Sequence, residues 1–270
     1  MHTLFGFVLA GYIISTALHF SGVALKQDKI TKAGFIAFVG TTVAHLVYFM
    51  WRWWAKFHML NVNILNAIPM RGAFEYGMSF ALGISVTYIL LRPKMPWIAS
   101  VGMPASLLLM AYASTRNMDI QDLIPALRSP WFFVHASTGV VAYAAFALAA
   151  CAGIKYLHLL KKGEKEDSKV MIQIDHISYR LIGFGQLFFT IVILSGSLWA
   201  VDAWSAFWSW DPKELWSLIT WIVYAIYLHQ RLRNDWQGRR CAILSIFGVG
   251  LVLFTWIGVN TLLPGLHSYA

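Results

Sequence analysis

Long apolar stretches alternate with short polar connections along almost the whole chain of 270 residues. Several stretches reach the roughly 20 residues that a helix needs to cross the hydrocarbon core of a membrane. Spans of this kind must be helical, because a helix satisfies its own backbone hydrogen bonds in lipid. The pattern therefore predicts an all-α, polytopic membrane protein that forms one membrane domain over residues 1–270. The eight predicted spans are at about 4–24, 33–53, 73–91, 96–114, 132–158, 181–201, 214–231 and 241–261.

The composition agrees with this pattern. Hydrophobic residues make up 59% of the chain and charged residues only 12%, with a mean hydropathy of +0.61. A soluble domain carries about a quarter of its residues as charged side chains. The first lysine is Lys26, so the basic region that opens a secretory signal peptide is missing. We therefore expect the first span to remain in the mature protein.

The basic residues predict the orientation of the spans. One set of loops, near 25–32, 92–95, 155–180 and 231–240, holds 15 of the 21 lysines and arginines, and the opposite set holds 6. The acidic residues divide evenly, six and six, so the first set carries the whole net charge of +9. Basic loops stay on the cytoplasmic side. Both termini are then predicted to face outward, and the basic excess gives no reason to expect nucleic acid.

Two outer segments and two cysteines complete this outline. Residues 54–72 and 115–131 mix polar residues with leucine, isoleucine and proline, which favours short amphipathic pieces on the membrane face. Cys151 and Cys241 each lie inside a predicted span, and there is no CxxC motif. We therefore do not expect the chain to perform disulfide chemistry.

The outer region at 199–216 is crowded with tryptophan and leads into the stretch WSWDPKELWSLITW, 208–221. The tryptophans are Trp199, Trp204, Trp208, Trp210, Trp216 and Trp221. Asp211, Pro212 and Glu214 match the N-cap, first and third positions of a helix start. An aromatic belt would spread over all helix ends, so this cluster suggests a platform for a flat apolar ligand. A helix start facing outward also favours anionic groups, and haem combines a flat apolar ring with carboxylates.

The chain has nine histidines, several of them within or near spans, where polar residues are functional candidates. Haem iron takes axial imidazole ligands. His135 opens the fifth span and His267 follows the eighth, both on the predicted outer side beside the Trp-rich region. His229 ends the seventh span toward the cytoplasm and would need another mate. His19 and His45 lie deep in the first two spans, and either could be that mate.

These segments resemble the CcsA (ResC) family of cytochrome c biogenesis proteins, in the Trp-rich haem-handling superfamily. The segment WSAFWSWDPKELWSLITW, 204–221, matches the family motif WGxxWxWDxKExW, with Ser205 in place of the usual glycine. The ending FTWIGVNTLLPGLHSYA, 254–270, and the segments 129–149 and 175–200 are similar to the same family. The resemblance covers most of residues 60–270 and is weak in the first two spans.

The resemblance implies the haem-handling subunit of a cytochrome c synthase that works with a ResB-type membrane partner. Haem b would pass outward and be joined to the CxxCH cysteines of apocytochrome c. His135 and His267 would ligate haem iron outside, and His229 would ligate it within the membrane, with its mate on the partner. The resemblance places the chain in a bacterial cytoplasmic membrane or a plastid thylakoid membrane. The further implied haem-binding residues are Trp204, Trp208, Trp210, Asp211 and Trp216.

Three other interpretations remain open at the level of sequence. The chain could bind haem without attaching it, or deliver haem to a separate chaperone as the CcmC branch does. It could also be a small-molecule transporter whose tryptophans and histidines line a pore. Transporters of that kind are expected to have a pair of discontinuous helices at the membrane midplane, and the sequence shows no such pair.

Overall fold

The computed structural model describes residues 2–93, 96–121, 125–233, 235–263 and 265–266. Regular structure in these ranges is helical throughout. A π-helical turn, Phe254–Gly258, and a last short helix α9, Val259–Leu262, continue the eighth long helix. The long helices are α1 (His2–Ala24), α2 (Asp28–Leu60), α3 (Gly72–Leu91), α4 (Ala99–Ser114), α5 (Pro130–Lys161), α6 (Lys169–Trp204), α7 (Pro212–Arg233) and α8 (Arg239–Leu253).

Each of the eight predicted spans lies within or overlaps one long helix. Six helical segments, α1, α2, α3, α5, α6 and the continuous Arg239–Leu262, are long and apolar enough to cross a membrane. The chain is therefore an all-α membrane protein with several spans. Helix α4 is shorter, with 16 residues, and α7 carries charged residues at both ends. The count of eight spans and the outward termini stay predictions.

The two outer segments differ in part from the expected amphipathic pieces. Residues 54–60 continue α2, which ends only at Asn61, a C-cap in the left-handed region with φ of 47°. Nothing in the sequence between Trp54 and Leu60 breaks a helix, since glycine and proline are both missing there. In the second segment a single 3₁₀ turn, Pro125–Leu127, precedes α5, and residues 122–124 lie outside the described residues.

The helices group into two compact units, residues 1–124 and 125–270. In the first unit, α1 and α2 pack so closely that a side chain at Gly34 would collide with the backbone of His19. A buried ion cluster joins α2 to α3. Arg52 Nε lies 2.9 Å from Glu75 Oε1, and Lys56 Nζ lies 2.8 Å from Glu75 Oε2. The Glu75 carboxylate thus compensates two cations that would be costly to bury alone.

The second unit is built around the long pair α5 and α6. Gly185 of α6 packs against the ring of Phe146 from α5, where a Cβ would come within 2.7 Å of Cε1. The Phe146 ring in turn stacks on Tyr224 of α7, with ring centroids 3.8 Å apart. This packing fixes α5, α6 and α7 against one another. Of the predicted haem-handling residues, His135 lies on α5, Trp204 on α6, and Trp216 and His229 on α7.

Candidate functional site

The Trp-rich region forms the connection between α6 and α7. Helix α6 ends at Trp204 with Ser205 as a left-handed C-cap, and α7 begins at Pro212. Asp211 Oδ1 accepts a hydrogen bond from Lys213 N at 2.9 Å, and Glu214 Oε2 accepts one from Asp211 N at 3.2 Å. This reciprocal pair is the capping box that the sequence predicted. The two carboxylates thus occupy the helix start that the sequence suggested for an anionic ligand.

The loop residues before the cap are also held by hydrogen bonds. Ser209 donates from both its backbone N and its hydroxyl to the Glu214 carboxylate, at 2.8 and 3.2 Å. Trp210 adopts a left-handed conformation with φ of 59°, and its indole is 68% exposed. Such a backbone is strained for a bulky residue. Hydrogen bonds to the Glu214 carboxylate hold the residues on both sides of it, Ser209 and Asp211.

The tryptophans divide into buried and accessible members. Trp199 is buried, and Trp221 donates through Nε1 to Thr190 Oγ1 at 2.9 Å. Trp208 and Trp210 meet edge to face, with ring centroids 5.9 Å apart. From the sequence, all six tryptophans were predicted to form one cluster. In the structure Trp199 is buried and Trp210 is exposed, and the other four, Trp204, Trp208, Trp216 and Trp221, are half-buried. Trp204 packs on Trp199, and Trp216 packs on Phe254.

His135 is oriented by three contacts with α6. Its Nδ1 lies 2.9 Å from Val192 O, and its ring stacks on Trp199 with centroids 5.7 Å apart. A carbonyl oxygen only accepts, so Nδ1 carries the proton and Nε2 carries the lone pair. Gly196 gives the ring its space, because a Cβ there would lie 2.8 Å from Nδ1. A backbone hydrogen bond that fixes the tautomer is the usual arrangement behind a metal-ligating histidine.

The start of α5 is tied to the end of α6. The Ser129 hydroxyl donates to Asp202 Oδ2 at 2.6 Å, and the same oxygen accepts from Trp131 N at 3.2 Å as the N-cap. Ser129 is buried. This link holds His135, in the second turn of α5, beside Trp199 and the Trp-rich loop. Sequence reasoning did not single out Ser129, Asp202 or Gly196.

Lys213 lies in the first turn of α7, just before the predicted span. Burial lowers the pKa of its ammonium group to about 8, and the nearby Asp211 carboxylate opposes that shift. Below this pKa the side chain is cationic, so the loop offers a positive charge beside its aromatic surface at neutral pH.

His229 lies near the other end of α7. It is 17 residues beyond Pro212, which corresponds to about 26 Å along the helix axis. The side chain is exposed. Two residues further on, Arg231 Nη2 pairs with Asp175 Oδ2 of α6 at 2.5 Å. Because of this separation, His229 cannot share one iron with groups at the Trp-rich end of the helix.

The two histidines considered as its mates are buried in the first unit. His45 is fully buried, and its Nδ1 lies 3.0 Å from the Tyr12 hydroxyl, which also contacts Ser85 Oγ at 2.9 Å. His19 is 6% exposed and packs against Gly34. Both rings are enclosed by the helices of their own unit.

The C-terminal segment returns to the Trp-rich loop. Leu266 N donates to Asp211 Oδ2 at 2.6 Å. His267, predicted as the second outer ligand, lies outside the described residues. The shared outer site of His135 and His267 therefore stays a prediction.

Comparisons with known proteins match this chain to one family. A family model described as "Cytochrome C assembly protein" matches residues 73–267. A cytochrome c biogenesis protein CcsA from Chlamydomonas reinhardtii is 42% identical over 190 residues, covering 68% of this chain and 53% of that protein. The chain thus spans about half the length of that relative. A CcsA from Synechococcus sp. (strain CC9605) is 32% identical over 301 residues, covering 98% of this chain and 94% of the relative.

Proposed function

Because the chain belongs to the cytochrome c assembly protein family, in its CcsA branch, and has a role in cytochrome c maturation, we propose that it is the haem-handling membrane subunit of a cytochrome c synthase. It presents haem b on the outer face of the membrane. There the two cysteines of a CxxCH motif in apocytochrome c are joined to the haem. Each thiol adds across a vinyl group: a C–S bond forms, the proton goes to the other vinyl carbon, and no external oxidant is needed.

The observation that carries this proposal is the setting of His135. Its Nδ1–H is directed to Val192 O, so the lone pair that an iron ligand needs is on Nε2. The accessible indoles of the Trp-rich loop supply flat apolar surface. His267 is the proposed second outer ligand, since the anchored Leu266 precedes it. Ligation by two imidazoles leaves the iron no open position during transfer.

The charged residues at the start of α7 have different roles toward the haem propionates. The Asp211 and Glu214 carboxylates already serve the cap, so they stabilise the loop rather than bind the propionates. Lys213 is the cation available to a propionate in the same turn. Its lowered pKa limits this pairing to pH values below about 8 unless the propionate itself raises the pKa.

His229 belongs to a second haem position on the path from the cytoplasm. The side chain is exposed on α7, whereas His19 and His45 are enclosed within the first unit. This favours a mate supplied by another chain, and we assign that role to a ResB-type membrane subunit. The membrane would be a bacterial cytoplasmic membrane or a plastid thylakoid membrane.

The proposal is tested by co-expressing the chain with a ResB-type partner and an apocytochrome c. Haem staining of denatured cytochrome measures covalent attachment, and absorption spectra of the purified complex measure ligation. We expect His135→Ala and His267→Ala to abolish attachment and to convert outer haem from six-coordinate to five-coordinate iron. We expect His229→Ala to lower haem content only when the partner is present.

The matched control is His158→Ala, since His158 is also an exposed histidine near a helix end. It should attach haem as the wild type does. A wild-type complex that binds haem but attaches none would reduce the function to haem binding or delivery. A complex that contains no haem would overturn the proposal and favour the interpretation as a small-molecule transporter.

A further inference from the structure

Helices α5 and α8 come into close contact at Gly153 and leave a cavity beside that contact. A Cβ at Gly153 would lie 2.6 Å from Ser245 Oγ and 2.8 Å from Ala242 O, so glycine allows the two helices to touch. Toward the end of α5 and the start of α8 there is a cavity of about 350 Å³, which we call the α5–α8 cavity. The residues that line it are Leu157, Leu160, Lys161, Arg239 and Ile243.

The lining combines aliphatic side chains with two cations at the helix ends. Lys161 is the last residue of α5, and Arg239 is the first residue of α8. Both side chains are exposed, and neither forms an ion pair with a described acidic residue. The Glu166 carboxylate lies beside Gly238, where it accepts a hydrogen bond from the Tyr156 hydroxyl at 3.0 Å. Lys161 and Arg239 are therefore two cations that a bound anion could pair with.

The start of α8 also favours an anion. Its first two residues are Arg239 and Arg240, its first turn holds no acidic residue, and its N-cap, Gly238, has no side chain to cap it. The N–H groups at a helix start carry partial positive charge, so arginines there are unfavourable and an anion is favourable. The Arg240 guanidinium lies over the Trp236 ring at 5.5 Å, whereas Arg239 borders the cavity.

Apolar side chains continue the lining along both helices, away from the cations. Ile243 and Phe247 follow Arg239 at intervals of four residues, so these three side chains lie on one face of α8. Ile154 precedes Leu157 by three residues on α5 and lies on the same face of that helix. Ile154, Ile243 and Phe247 are all exposed. This order, cations at the helix ends and apolar surface toward the middle, matches the headgroup and acyl chains of a phospholipid.

We propose that the α5–α8 cavity binds one anionic phospholipid, such as phosphatidylglycerol. Its phosphate pairs with Lys161 and Arg239 at the start of α8, and its acyl chains lie along Ile243 and Phe247. Basic pockets between membrane helices at the cytoplasmic face bind anionic headgroups in this way, and the predicted orientation puts the cavity at that face. The described lining residues include no histidine, cysteine or aromatic ring, which favours lipid over haem. Lipid binding at this cavity does not depend on the proposed haem-handling function.

The test is native mass spectrometry of the purified full chain in detergent, titrated with phosphatidylglycerol and separately with phosphatidylcholine. We expect the wild type to bind one phosphatidylglycerol more tightly than phosphatidylcholine. The double variant Lys161→Gln, Arg239→Gln should raise the Kd for phosphatidylglycerol about tenfold or more, because each cation beside an anionic headgroup contributes to binding. Ile243→Trp keeps both charges but fills the cavity, and it should weaken the same binding.

The matched control is the double variant Lys162→Gln, Arg240→Gln. It removes the same charge from the neighbouring positions, which do not line the cavity, and should bind phosphatidylglycerol as the wild type does. An equal loss in this control would mean a general attraction of lipid to a basic surface and would overturn the site. Binding that survives in Ile243→Trp would place the lipid outside the cavity, which also contradicts the proposal.

Two further measurements distinguish the occupant. Inorganic phosphate should not displace the bound phosphatidylglycerol, and displacement would reduce the site to one for phosphate alone. Haem content, measured in the complex with the partner, should be the same in the Lys161→Gln, Arg239→Gln variant and the wild type. If that variant loses haem and keeps its lipid, the cavity takes haem and the lipid proposal fails.

Discussion

The ring of His135 lies between the backbone of α6 and the indole of Trp199, and Gly196 provides the space for it. One carbonyl on α6 thus determines which ring nitrogen carries the proton. Because the ring has little room to turn, a single added methyl group should change its orientation. A substitution at Gly196 can therefore test the orientation of the His135 ring by itself.

We predict that Gly196→Ala weakens haem binding at the outer site. The new Cβ would lie 2.8 Å from His135 Nδ1, so the ring must leave Val192 O. Overpacking of this kind costs about 1–3 kcal/mol, which corresponds to roughly 5- to 150-fold in Kd. Haem titration in a His229→Ala background measures the outer site alone.

The matched control is Gly183→Ala on the same helix, where a Cβ would meet nothing within 4 Å. Its Kd should stay at the wild-type value. Equal affinities for the Gly196 and Gly183 variants would mean that His135 does not ligate haem.

At the residue scale, the sequence suggested His135 as a candidate ligand but not what orients its ring. His135 could be proposed because a histidine beside a Trp-rich outer loop suits haem. Val192 and Gly196 are ordinary residues of an apolar span, and only the packing of α6 on α5 brings them to the ring. Asp211 and Glu214 were predictable as a capping box because that motif is local. The second partner of Asp211 was not, since Leu266 is 55 residues away.

At the scale of elements, the hydrophobic pattern predicted every long helix because an apolar run of span length is a local signal. Helix ends were harder to place. Helix α6 begins at Lys169, before the predicted span at 181, since Ser168 provides a cap through its contact with Met171 N. An ion pair and a hydrogen bond, both to Asp175, stabilise the connection between α7 and α8. The Asp175 carboxylate takes Arg231 on one oxygen and Gly238 N on the other, at 2.5 and 3.0 Å.

We predict that Asp175→Ala destabilises this end of the second unit. The Arg231 and Asp175 side chains are only 11% and 9% exposed, so the substitution leaves a buried guanidinium without its counter-ion. Breaking such a pair costs about 3–5 kcal/mol. The melting temperature in detergent should fall, and hydrogen exchange over 227–233 should accelerate. Asp167→Asn, in the exposed loop before α6, should change neither quantity. An unaltered melting temperature for Asp175→Ala would show that the ion pair does not hold α7.

At the scale of the whole molecule, the distribution of charge supports the predicted orientation more strongly than the raw counts. Two of the six basic residues on the predicted outer side, Arg52 and Lys56, are buried against Glu75. They stabilise the packing of α2 on α3 and are not available to act as loop charges. On the opposite side Arg231 is paired with Asp175 in the same way, so the counts without these paired residues are 14 against 4. The sequence could not reveal this, because pairing with Glu75 depends on how the helices meet.

We predict that the Trp-rich loop and the connection after α4 face outward, opposite the loop between α5 and α6. The test places a single cysteine at Thr115 or at Lys165, both exposed, in a chain carrying Cys151→Ala and Cys241→Ala. An impermeant maleimide should label Thr115→Cys in intact spheroplasts and Lys165→Cys only after permeabilisation, because the basic loop stays in the cytoplasm. The reverse labelling would put the Trp-rich loop and His135 inside. Haem could then not be presented to apocytochrome c on the outer face, and the synthase mechanism proposed for this chain would fail on topology alone.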